Sequence, residues 1–167
     1  MKLSEKGLAF VKSNEGLSLT AYKDSADRWT IGYGHLLQEY IPPITESVAA
    51  ALLDVDLERA ENIVNKLVKV SLLQNEFEAL VDFAYNVGVG AFAGSTLLKR
   101  LNVGDFDGAI EEFSRWKYAK GKESKGLRDR RAREVALFNG TPERASRRTS
   151  SGTDGDVQGR DQLLGDG

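Results

Sequence analysis

Cysteine is absent from the 167 residues, and histidine and methionine occur once each. Without thiols there is no disulfide, no zinc-thiolate site and no cysteine nucleophile, a composition that fits maturation in a reducing compartment. Long apolar runs are missing too. The amino-terminal stretch MKLSEKGLAFVKSNEG is broken by Lys2, Glu5, Lys6, Lys12 and Glu15, so neither a signal peptide nor a membrane anchor is expected there. The formal net charge is only −2, which gives no global reason to bind nucleic acid or a membrane surface. Any chemistry must therefore come from oxygen groups, from lysine or from His35.

What is present begins with length: 167 residues suffice for a real hydrophobic core and predict one domain, divided at most into two lobes. No internal repeat is visible, which argues against a solenoid. Composition changes at Asn139-Gly140. The stretch 141–167 is rich in Ser, Gly, Arg and Asp, with little apolar before Leu163-Leu164, so it is expected to be a disordered tail.

Upstream, the patterns are helical with one interruption. Ser4 can cap a first helix through Leu8, Phe10 and Val11 that stops at Gly16, with Glu15 in its last turn. Residues 17 to 37 alternate around the turn KDSADR and predict a short antiparallel hairpin. Thr45 and Glu46 open a long helix with Val48, Leu52, Leu53, Leu57, Ala60, Ile63, Val64 and Leu67 at helical spacing. A second helix carries Phe77, Leu80, Val81, Ala84 and Val87, and shorter ones are expected over Ser95 to Leu101, Asp105 to Trp116 and Leu127 to Phe138. The fold class is therefore α+β, mainly α, with a hairpin lobe over 14–44, a connecting helix over 45–68 and a helical lobe over 70–140.

The hairpin holds the residues with chemistry. In WTIGYGH, strand alternation puts Trp29, Ile31, Tyr33 and His35 on one face and Thr30, Gly32 and Gly34 on the other, a nearly bare face that suits close approach of an extended ligand. Glu15, at the negative end of a helix, should hold its proton more tightly than usual. Asp24, opening a turn, should accept backbone N–H bonds and stay ionised. A protonated and an ionised carboxyl group facing each other are what glycoside hydrolysis requires. Thr30 could share a water molecule with Asp24, which favours an activated water if the two carboxyl groups stand about 6.5 to 9.5 Å apart. Singly, each residue has a plainer reading as a helix end, a turn aspartate or a strand former.

NEG, YKD and WTIGYGHLL, with nine residues from Glu15 to Asp24 and six from Asp24 to Thr30, resemble the phage lysozymes, the endolysins of glycoside hydrolase family 24. The resemblance covers roughly residues 3 to 140. It implies a two-lobe lysozyme-like fold with Glu15 as general acid, Asp24 as the carboxylate opposite it and Thr30 as a holder of the attacking water. It also implies a substrate, the β-1,4 bond between N-acetylmuramic acid and N-acetylglucosamine in peptidoglycan, and no cofactor or metal. Asp56 matches an aspartate that pairs with the strand histidine, here His35, as structural support. Tyr85 and Asn86 match positions facing the cleft, where an amide can bind a sugar N-acetyl group, Gly32 and Gly34 line the bare strand face expected to meet the glycan, and Arg130 matches an arginine near the catalytic glutamate.

The chain departs from its relatives at Asp27, where glycine is common, although Asp accepts left-handed geometry better than most residues. No amino-terminal anchor of the kind many relatives carry is expected. A monomer held in the host cytoplasm and released to the wall through a holin pore is therefore expected. Two other classes remain: a wall-binding module that has lost its chemistry, and a nucleic-acid binder using residues 115 to 133, where nine Lys/Arg face Glu123 and Asp129.

Overall fold

The computed structural model describes residues 1–24 and 26–140; the expected tail at 141–167 lies outside the described residues. Among these there are seven helices and two small antiparallel sheets. Helix α1 is Glu5–Asn14, strands β1 to β3 are Ser18–Lys23, Trp29–Gly32 and His35–Leu36, and α2 is Glu46–Leu67. Then come α3 (Gln74–Val87), α4 (Val89–Gly94), α5 (Thr96–Asn102), α6 (Phe106–Phe113), the hairpin β4 (Tyr118–Ala119) and β5 (Lys122–Glu123), and α7 (Lys125–Asn139).

The helices begin where capping chemistry allows. The side chains of Ser4, Thr45, Ser95, Asp105 and Ser124 each accept a bond from a backbone N–H in the first turn, an arrangement that typically contributes about 1 kcal/mol. Helix α3 lies at the centre, and every residue from Asn75 to Ala84 is buried. Its Phe77, Leu80, Val81 and Phe83 join Leu53, Leu57 and Val64 of α2 in one core that also takes in Val11, Phe92, Leu97, Leu101, Phe113 and Phe138. Phe83 meets Phe92, Phe113 and Trp116 edge-on, with ring centroids 6.4, 5.0 and 5.5 Å away, the geometry in which ring edges meet ring faces favourably.

The sheet departs from the expected single hairpin. WTIGYGH is not one strand: β2 ends at Gly32, the chain turns through Tyr33 and Gly34, and β3 returns so that Ile31 pairs with His35 and Thr30 with Leu36. The result is a three-stranded sheet in the order β1-β2-β3. Both glycines serve this turn, with φ of 65° at Gly32 and 94° at Gly34, values that a side chain adopts only with strain. A Cβ on Gly32 would stand 3.3 Å from Cβ of Ala49 in α2. Gly32 is thus buried against a helix, and the bare, open face expected for it is closed by packing. Asp27 adopts the left-handed geometry, with φ of 60°. Val48, read as a core position of α2, is instead 45% exposed, because it lies off the stripe formed by Ala49, Leu53, Leu57, Ala60 and Val64.

Candidate active site

Glu15 is the residue after α1, extended at φ −100° and ψ 145°, with its N–H bonded to Val11 O. It therefore caps the helix and does not lie in the last turn. The helix is fixed to α3 by close contact at Gly7, where a Cβ would meet the Glu78 side chain at 2.6 Å. Ser4 donates to the same carboxylate through N at 3.1 Å and Oγ at 2.6 Å. This docking carries Glu15 into the protein, where Arg130 Nη1 donates to Oε1 at 2.6 Å. Burial pushes the Glu15 carboxyl above the ordinary glutamate value, Arg130 pulls it down, and Asp82 pushes it up again. The direction is the one expected from the helix end, but the leading cause is loss of solvent.

Asp24 is the opposite case. Its Oδ1 accepts from the backbone N–H of Ala26 at 2.8 Å and of Arg28 at 3.0 Å. Its Oδ2 accepts from Arg28 Nε at 2.9 Å and Nη2 at 2.8 Å. Donors on both oxygens favour the anion, led by the Arg28 backbone and then its guanidinium, and hold the carboxyl down to about 2. The loop has filled the oxygens with its own donors, so any further partner of Oδ2 must compete with Arg28. Thr30 is buried in the middle strand, and its hydroxyl donates to Arg28 O at 3.2 Å. That leaves its oxygen lone pairs to accept a hydrogen bond.

The turn between β2 and β3 ties the sheet to the helices beside Glu15. Tyr85 OH donates to Tyr33 O at 2.8 Å, and burial raises its phenol well above the ordinary tyrosine value. The side-chain position that Gly34 leaves empty stands 3.7 Å from Glu15 Oε2 and 3.8 Å from Tyr85 OH. His35 Nδ1 lies 2.7 Å from Asp56 Oδ2, joining β3 to α2. Among the described residues no hydrogen bond links Asp24 or Thr30 to Glu15. The structure gathers Glu15, Gly34, Tyr85 and Arg130, and carries Asp24 and Thr30 on the neighbouring hairpin.

Sequence reasoning missed the groups behind Arg130. Asp82 of α3, with no exposure, takes Arg130 Nη2 on Oδ1 at 2.9 Å and Nε on Oδ2 at 3.0 Å. Arg131 donates through Nη2 to Asn86 Oδ1 at 2.7 Å and to Glu134 Oε1 at 2.8 Å, which leaves the Asn86 amide NH2 to donate elsewhere. The signal lay in Asp82 itself, a charge within a helix otherwise patterned for the core, since aspartate is almost never fully buried without a partner.

Residues 12–134 match the family model for phage lysozyme, and the chain belongs to that family. It is 49% identical over 156 residues to the endolysin of Bacillus phage PZA, covering 90% of this chain and 60% of that protein. The endolysin of Acyrthosiphon pisum secondary endosymbiont phage 1 is 46% identical, with 83% of this chain and 98% of that one aligned. The solved muramidase domain of SpmX from Asticaccaulis excentricus superposes with a TM-score of 0.78 at 38% identity, covering 84% of this chain and 99% of that one. The fold is accordingly lysozyme-like. No helix among the described residues is long and apolar enough to cross a membrane.

Proposed function

We propose that the chain is a muramidase that hydrolyses the β-1,4 bond between N-acetylmuramic acid and N-acetylglucosamine in bacterial peptidoglycan, as an endolysin does in host lysis. One observation carries the reading: two carboxyl groups nine residues apart are driven in opposite directions, Glu15 up by burial and Asp24 down by four hydrogen bonds. Relatives named endolysin and muramidase over most of the chain support it.

In this mechanism the Glu15 carboxyl gives its proton to the glycosidic oxygen as the bond to the anomeric carbon breaks. The Asp24 anion stabilises the developing oxocarbenium charge, and a water held by Asp24 and Thr30 on the face away from Glu15 bonds to the anomeric carbon and gives its proton to the Asp24 carboxylate. Gly34 and Tyr85 border Glu15, and the free amide donor of Asn86 suits a sugar N-acetyl carbonyl. His35, Asp56 and Arg130 support these groups. No step calls for a cofactor or a metal.

The protein acts as a monomer and reaches the wall from the host cytoplasm through a holin pore. In the basic stretch from 115 to 133, Arg130 and Arg131 are buried, which withdraws them from a nucleic-acid face, while Lys117 and Arg128 share Glu123 and Lys125 pairs with Asp129. The test is clearing of a purified murein suspension with analysis of the fragments. New reducing ends support hydrolysis, anhydro sugars point to transglycosylation, and binding without clearing supports a silent wall-binding module.

A further inference from the structure

Asp82 is a carboxylate without solvent, and such a group persists only with donors around it. Three reach it from two other helices: Arg130 Nε and Nη2 grip both oxygens at 3.0 and 2.9 Å, and Asn14 Nδ2 donates to Oδ2 at 3.1 Å. The same guanidinium extends Nη1 to Glu15 at 2.6 Å. One cation thus bridges two carboxyl groups, and the shares are unequal, two donors for Asp82 and one for Glu15.

We propose that Asp82 is a positioning residue for the general acid: by gripping Arg130 with both oxygens it fixes the guanidinium against Glu15 and offsets part of its charge. Glu15 then keeps the donor that orients it without being driven to the ionised state. This rests on the reading of Glu15 as the proton donor.

The need for such a device follows from magnitudes. An unopposed cation within hydrogen-bond reach lowers a carboxyl by about one to three pH units, which would strip a general acid of its proton near neutrality. Every other charged or titratable group here leaves Asp82 as the counterweight. On α7, Arg131 is turned toward Glu134 and Asn86 and lies over the Phe83 ring at 4.9 Å. Glu134 stands 3.6 Å from Arg130 Nε, and burial, with a hydrogen bond to Asp82 and the Asp82 charge behind it, pushes its carboxyl up, toward the neutral form, so that it does not compete with Asp82 as a counter-charge. On α3, Tyr85 is held neutral by burial. His35 and Asp56 engage each other.

The experiment is a carbon-13 carboxyl NMR titration of Glu15 in the wild type and in Asp82→Asn, beside the pH dependence of murein clearing by both. The expected result is a Glu15 midpoint lower by about one pH unit or more in the variant, with the alkaline limb of activity moved down by the same amount. An unmoved midpoint with activity reduced equally at every pH, as a merely structural role gives, overturns the proposal. Should Asp82→Asn not fold, the wild type still decides. The Glu15 midpoint must also appear in the Arg130 side-chain nitrogen and Asp82 carboxyl carbon signals, and independent midpoints overturn it. A shifted Glu15 in a protein that never clears murein supports the positioning role and removes the muramidase reading.

Discussion

Arg130 Nη1 stands 2.6 Å from Glu15 Oε1, although 115 residues separate them in the chain. A guanidinium so close normally makes a carboxyl a stronger acid, yet Glu15 moves the other way, because burial outweighs the attraction and Asp82 offsets part of it. The pair therefore orients the carboxyl while it still holds its proton more tightly than an ordinary glutamate. That separates its role from that of an ordinary ion pair.

Glu15→Gln is expected to lose murein clearing by ~10²-fold to 10⁴-fold, the usual contribution of a general acid. Circular dichroism should show an unchanged fold. A rate near that of the wild type removes Glu15 from the mechanism.

The same variant should also be favoured in stability as pH rises. The folded-state carboxyl sits above its unfolded value, so the native protein binds more protons across that window, and stability declines as pH climbs through it. Glutamine does not titrate. Thermal unfolding at pH 4 and at pH 7 should show the variant gaining on the wild type at the higher pH.

Arg28→Gln should raise the Asp24 midpoint from about 2 while leaving it below the ordinary aspartate value. Two guanidinium donors are lost, but the backbone donors of Ala26 and Arg28 remain. Carboxyl NMR between pH 1.5 and 5 measures this, and an unmoved midpoint shows that the backbone alone holds the anion.

The first-formed sugar anomer should be inverted relative to the substrate, since Thr30 and Asp24 together suit an activated water. Proton NMR within seconds of mixing reads the anomer. Retention assigns Asp24 a nucleophile's part.

His35→Ala should destabilise the protein by about 1 to 3 kcal/mol, the range for a hydrogen bond with a charged partner when the other group is stranded. Both side chains are mostly sheltered, 25% and 18% exposed. In urea unfolding, Asp56→Ala added to His35→Ala should cost much less than its single effect, because the first change has already broken the contact. Additive losses would show the two residues acting separately.

Much of this molecule was legible in the chain itself. Helix starts at Ser4 and Thr45, the apolar stripes of α2 and α3, and the turn donors around Asp24 are set by neighbours within a few residues, and local periodicity and capping report these directly. WTIGYGH shows where that reading stops. Alternation over seven residues looks like one strand, but the glycines were placed for a turn and for the approach of Ala49, a contact from another element.

Only the tertiary fold could decide the surroundings of Glu15. Asp82 lies 48 residues from Arg130, and nothing in local spacing says that α1, α3 and α7 will bring their polar groups to one buried point. The sequence determined which groups were available and the local conformation of each. Burial and long-range charge determined which of them hold a proton more or less tightly than usual, because solvent exclusion and Coulomb attraction depend on distance through space rather than along the chain.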